Sequence, residues 1–117
     1  MTSNLISTDS FSKKKIEELL IKYPNRIPIV LSSISYKKIG NIKLIVPFDM
    51  TLTQFITILR NKIELKKEEA IYFFVKDTNN KSDVIIPTTS SLGPLYNQYK
   101  DKSLILNMYF EKEAVFG

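Results

Sequence analysis

The chain has 117 residues, 44% of them hydrophobic and 25% charged, with a formal net charge of +5 and no Cys, His or Trp; that is enough for one domain with a single modest core. Without Cys or His, disulfides, Cys/His metal sites and Cys or Ser–His nucleophiles are excluded. Gly40, Gly93 and Gly117 stand alone, so there is no Gly-rich phosphate loop.

A carboxylate-only mechanism remains formally open, and the chain is expected not to be an enzyme. No apolar run approaches a membrane span, and residues 1–10 carry no basic cluster followed by an apolar core. The expected compartment is the cytosol, or a membrane surface reached from it. Residues 1–67 hold twelve Lys/Arg and five Asp/Glu (+7), while residues 68–117 hold five and seven (−2). Such asymmetry suits an acidic partner, anionic lipid or nucleic acid. Lys outnumbers Arg fifteen to two, however, a pattern that biased base composition also produces, and no nucleic-acid partner is expected.

Met1–Asp9 is polar around Leu5-Ile6, and the sequence leaves it open between a short helix and a mobile segment. From Ser10 a helix is predicted on the stripe Ile16, Leu19, Leu20, Tyr23, stopped by Pro24. Ile27–Leu31 reads as a strand with Pro28 near its start. Ser32–Asn41 reads as a loop, and Ile42–Val46 as a second strand antiparallel to the first. Thr51-Leu52-Thr53-Gln54 is a capping box with Met50 and Phe55 at the hydrophobic-staple positions. The helix it opens carries the stripe Leu52, Phe55, Ile56, Leu59, Ile63, with Ile58 at its edge.

Ile71–Val75 is the third strand, Asp77–Asp83 an exposed loop, and Val84-Ile85-Ile86 a brief strand ended by Pro87. Ser91 is positioned to cap a short helix carrying Leu92, Leu95, Tyr96 and Tyr99, with Pro94 in its first turn. Leu104–Phe110 is almost wholly apolar, as for a central strand buried on both faces. The tail from Glu111 ends in Gly117, whose carboxylate no Cβ crowds. About 7% of residues are Gly in any case, so a final Gly alone proves little. The order predicts an α+β, β-grasp (ubiquitin-like) fold: a mixed four-stranded sheet with an added N-terminal helix or helix pair. Residues 1–25 would form the helical extension, 26–110 the ubiquitin-like domain, and 111–117 a flexible tail.

The residues also resemble a known family. Lys22–Ile29 (KYPNRIPI), Val46–Thr51 (VPFDMT), Gln54-Phe55 with Leu59-Arg60, Ala70–Val75 (AIYFFV), Ile86-Pro87, Leu92-Gly93 through Leu95-Tyr96, and the closing Val115-Phe116-Gly117 occur in this order. They are similar to the motifs of the autophagy ubiquitin-like modifiers, the autophagy-related protein 8 (GABARAP / light-chain-3) family. The match runs from about Phe11 to the terminus. The first helix and the loop before Lys43 are shorter than usual, the segment between Val75 and Ile86 is longer, and Lys15 falls where an acidic residue is common. The resemblance is therefore to a divergent member of that family.

The resemblance implies conjugation of Gly117 to phosphatidylethanolamine by ubiquitin-like activating and conjugating enzymes, and its release by a delipidating cysteine protease. The chain would be a monomer when soluble, need no cofactor or metal, and sit on an autophagosome or related vesicle after lipidation. It also implies capture of cargo receptors or adaptors whose aromatic-x-x-aliphatic peptides add to the edge of the second strand at Lys43–Val46. The first pocket would use Leu19, Ile27, Pro28, Lys43 and Ile105; the second would use Leu44, Val46, Pro47, Met50, Phe55 and Ile58. Arg26, Lys43 and Lys62 would meet acidic flanks of the peptide. Leu19, Ile27 and Phe55 are equally what any β-grasp core needs. Tyr72 and Phe74, with Phe116, would dock the conjugating and processing enzymes, although the first two also suit partly buried strand positions. Two alternatives are a tag joined to a protein lysine and an unconjugated peptide-binding adaptor.

Overall fold

The computed structural model describes residues 12–63, 70–77, 79 and 81–113; the expectations for Met1–Asp9, Phe116 and Gly117 lie outside them. Helix α1 (Lys13–Lys22) opens where the Ser12 hydroxyl accepts the Lys15 N–H at 3.3 Å. Of its apolar stripe only Ile16 is fully buried, and Leu19 and Leu20 are half-buried. Strands β1 (Arg26–Ser32) and β2 (Ile42–Pro47) form an antiparallel pair, joined through a 3-10 turn at Lys37–Ile39. Helix α2 (Leu52–Lys62), β3 (Ile71–Asp77), β4 (Ser82–Ile85), helix α3 (Leu92–Tyr99) and β5 (Leu106–Lys112) follow.

The capping box forms as expected. Thr51 Oγ1 accepts the Gln54 N–H at 3.2 Å, and Gln54 Oε1 accepts the Thr51 N–H at 3.0 Å. The staple residues Met50 and Phe55 are both buried. Ser91 occupies the N-cap position of α3, but its side chain makes no capping bond. Helices α2 and α3 instead cap one another through the backbone: Leu52 N–H donates to Ser90 O and Leu92 N–H to Met50 O. The first amide of each helix is satisfied that way, and Pro94, at the third helical position where a capping side chain finds its donor, has no N–H to offer Ser91.

The sheet has five strands in the order β2-β1-β5-β3-β4, with β5 parallel to β1 and antiparallel to β3. It is wider than the expected four because Ile85 and Val84, from the brief strand expected there, pair with Phe74 and Val75 as part of β4, and because β3 runs past its apolar stretch. Lys76 and Asp77 pair with Asp83 and Ser82 of β4, since ladder bonds use backbone groups whatever the side chain. The expected loop Asp77–Asp83 is thereby cut to a tight turn, in which Asp77 Oδ1 accepts the Asn79 N–H at 3.0 Å and Lys81 takes φ 54°.

Strand β5 is central, as expected, but alternates: Leu106, Met108 and Phe110 are buried, while Asn107 and Tyr109 are half-buried. The reason is uneven cover. Leu106, Met108 and Phe110 join Ile29, Leu31, Leu44, Val46, Phe73 and Val75 in the main core with α2 and α3 residues. The opposite face is only partly roofed: α1 contacts β1 there, and Ile45, opposite Pro28, is buried outside the main core. β5 also keeps Glu111 and Lys112, expected in the tail, by pairing them with Tyr72 and Ile71.

Candidate functional site

Among the described residues β2 is the outermost strand at one end of the sheet, and none of the described strands pairs with its outer backbone edge, which a further strand could use. Register assigns its side chains to two faces. Val30 lies opposite Lys43 and Pro28 opposite Ile45 on the outer face; Ile27 lies opposite Val46 on the core face. Pro28, Lys43 and Ile105 therefore lie near one another on the outer face, where Pro28 and Ile105 are buried and Lys43 is half-buried, and α1, which carries half-buried Leu19, contacts β1. Ile27 does not join them, being 1% exposed and inside the main core. Val30, half-buried, stands in its place. The signal for it was in the sequence: stepping by two from Pro28 along a strand lands on Val30, not Ile27.

Beside the end of β2 a cavity of about 430 Å³ is lined by Pro47, Asp49, Met50, Gln54, Thr57 and Ile58. Three of the six residues expected in a second pocket line it. The other three, Leu44, Val46 and Phe55, are at most 1% exposed and form the core behind it. Asp49, Gln54 and Thr57 are additional. Gln54, Thr57 and Ile58 follow helical i, i+3, i+4 spacing, which puts them on one face of α2. The walls are fixed by bonds already made: Gln54 by the capping box, and Thr57 by its hydroxyl donating to Thr53 O at 3.2 Å. Arg26 pairs with Pro47 at this end of the strand, its guanidinium 5.0 Å from the Tyr23 ring centroid. Lys62 is exposed in the last turn of α2.

A larger cavity, about 570 Å³, opens between the β3–β4 hairpin and the α3–β5 connection, with Lys76, Asp77, Lys100 and Asp101 in its lining. It touches neither β2 nor α2. Its size does not make it the site, because Asp101 is already spent, accepting from Ser103 N–H, Ile105 N–H and Asn107 Nδ2. Above it Tyr96 donates its hydroxyl to Leu104 O at 2.8 Å; burial first, and the Asp101 charge second, raise its pKa.

On the outer face of β3 and β5, Tyr72, Phe74 and Tyr109 form a continuous stack with centroid separations of 5.8 and 5.3 Å. Phe74 is 7% exposed and Tyr72 half-buried. Both are thus at once partly buried strand residues and members of a shared aromatic surface. Among the described residues, no group of three His, Cys, Asp or Glu is placed to hold a metal.

The comparisons point to a ubiquitin-like family. The family model described as autophagy protein Atg8, ubiquitin-like, matches residues 12–117. The chain belongs to the Atg8 family. The crystal structure of Trypanosoma brucei ATG8 is similar at TM-score 0.74 and 27% identity, covering 94% of each chain. Plasmodium falciparum Atg8, solved in complex with a Plasmodium falciparum Atg3 peptide, is similar at TM-score 0.68 and 28% identity, covering 87% of this chain and 88% of that one. Atg8-family proteins are ubiquitin-like modifiers rather than enzymes, and this one is a distant member with an α+β fold shared with both structures. No helix among the described residues is long and apolar enough to cross a membrane.

Proposed function

We propose that this autophagy protein is conjugated through Gly117 to phosphatidylethanolamine and recruits proteins that carry aromatic-x-x-aliphatic motifs. The observation that carries the reading is the family match, which continues without a break from α1 to Gly117. Anchorage is where the chemistry gains most. A few Lys near a bilayer contribute about 1 kcal/mol each. Two acyl chains, at about 0.8 kcal/mol per buried CH₂, contribute far more. Activating and conjugating enzymes deliver the chain to the lipid, and a cysteine protease releases it. That the Plasmodium falciparum relative was solved with an Atg3 peptide supports an encounter of this kind for the present chain.

Peptide capture uses the β2 edge for main-chain bonds. The region around Pro28, Val30, Lys43 and Ile105 takes the aromatic side chain, and the cavity at Pro47, Met50 and Ile58 takes the aliphatic one. Arg26, Lys43 and Lys62 attract acidic flanks, and the stack at Tyr72 and Phe74 docks the enzymes. The experiment is reconstitution with activating and conjugating enzymes, ATP and phosphatidylethanolamine vesicles. The intact mass of the product should show one phospholipid added, and a protein adduct or an unchanged mass contradicts the reading.

A further inference from the structure

Strands β1 and β5 are parallel, with Ser32 opposite Tyr109. The loop that leaves β1 and the chain that leaves β5 therefore emerge at the same end of the sheet. Glu111 fastens the two together. One of its carboxylate oxygens accepts the Ile34 N–H at 2.7 Å; the other accepts the Ser35 N–H at 2.8 Å and the Ser33 hydroxyl at 3.3 Å. Tyr36 makes a second tie: its ring stacks on Phe110 at 5.3 Å, its N–H donates to Ser33 Oγ, and the Lys112 ammonium lies 5.4 Å from its centroid. The loop is thus held in one shape before any partner arrives, which lowers the ordering cost of binding.

What this fixed loop presents is unusual for a tie point. Ile34 is 74% exposed, and Lys37 and Lys38 are exposed beside it. No acidic residue lies between Ser32 and Asn41. The acidic groups described at this end are Glu111, engaged in the clamp, and exposed Glu113, with Lys112 between them. A single exposed Ile needs no explanation on its own; its position supplies one. Glu113 N–H is bonded to Ala70 O at 2.9 Å, and only four residues lead from Glu113 to Gly117. Whatever path they take, Gly117 lies within about 14 Å of that point.

We propose that the β1–β2 loop is a membrane-contacting surface, and that its partner is an anionic bilayer. Ile34 enters the interface while Lys37 and Lys38 lie against headgroup phosphates, an apolar-plus-basic combination suited to such a surface. The proposal rests on the reading that Gly117 carries a lipid, which brings this end of the sheet against the bilayer.

The test anchors the full chain by a C-terminal hexahistidine tag to vesicles of phosphatidylcholine and phosphatidylserine containing a nickel-chelating lipid. The chain has no Cys, so Ile34→Cys gives one site for an environment-sensitive fluorophore. Asn25→Cys, exposed ahead of β1 at the far end, is the control. At position 34 the emission should shift to the blue and be quenched by spin-labelled acyl chains, while position 25 stays water-like. Adding Lys37→Glu and Lys38→Glu should remove the shift with the melting temperature unchanged. A water-like signal at position 34, an equal response at position 25, or a shift that survives both charge reversals would overturn the proposal. Because the tag supplies the anchor, failure of enzymatic conjugation at Gly117 would leave this readout untouched.

Discussion

The ring of Phe48 lies against Gly93, so close that a methyl group on Gly93 would overlap three ring carbons unless the ring moved. This contact joins the start of α3 to the turn after β2, the segment that also supplies Asp49 and Met50 to the 430 Å³ cavity. Gly93→Ala should cost about 1–3 kcal/mol by overpacking. In a Phe48→Ala background the sign should reverse, because Ala is worth about 0.5–1 kcal/mol over Gly inside a helix. A double-mutant cycle by denaturant unfolding checks this. Equal effects of Gly93→Ala with and without the ring would contradict it.

Lys81 turns the β3–β4 hairpin at φ 54°, exposed and without a Cβ-free backbone. Left-handed geometry costs an ordinary L-residue roughly 1–2 kcal/mol, which glycine avoids. Part of that gain is returned as chain entropy in the unfolded state. Lys81→Gly should therefore stabilise the protein by several tenths of a kcal/mol, up to about 1. A melting temperature that falls would show that the Lys81 side chain does more than occupy a turn.

Much of the fold was legible from local chemistry. The Thr51 capping box, the Met50–Phe55 staple and the stop at Pro24 each need only residues a few positions apart, and each forms as the sequence implies. Pairing between distant segments was less legible. The brief strand at Val84-Ile85-Ile86 was foreseeable, but its extension depends on Lys76 and Asp77 finding Asp83 and Ser82 through backbone bonds that side-chain type does not announce. Ser91 has a capping residue's identity, but its helix is capped by Met50 O from another element. At the candidate site the edge strand was foreseeable, whereas the face of Ile27 depends on register: a one-residue step moves a side chain from core to surface. Asp49, Gln54 and Thr57 were missed because polar residues in a turn or on the exposed side of a helix look like ordinary solvated positions.

Glu111 makes stability and loop order depend on acid. Burial alone would raise its pKa, but hydrogen bonds from Ser35, from the N–H groups of Ile34 and Ser35, and from Ser33 outweigh it and hold it below the ordinary 4.5. The unfolded chain therefore binds the proton more readily than the folded one. The contribution is complete above about pH 4.5 and is lost as pH falls through the lower folded value. Glu111→Ala should flatten that part of the acid unfolding curve. It should also speed hydrogen exchange at Ile34 and Ser35, whose amides lose their acceptor. Unaltered exchange at both amides would contradict the clamp.

Thr57 offers a test of the proposed second pocket that spares the core. It lines the cavity from the exposed face of α2, whereas Met50, also in the lining, is 7% exposed and part of the core. Met50→Ala would confound binding with a loss of about 2–5 kcal/mol in stability. Thr57→Phe should fill the cavity, weaken an aromatic-x-x-aliphatic peptide at least tenfold, or about 1.4 kcal/mol, and leave the melting temperature within a degree or two. Calorimetric titration of such a peptide reads the first, and a thermal melt the second. Undiminished affinity would move the aliphatic side chain elsewhere.

The most direct measurement of the whole account is tandem mass spectrometry of the chain recovered from cell membranes. The C-terminal peptide of the wild type should carry phosphatidylethanolamine on the Gly117 carboxyl, and the Gly117→Ala chain should carry none. A lipid-bearing species that persists in the Gly117→Ala chain, or a wild-type Gly117 joined to a protein lysine, would contradict it.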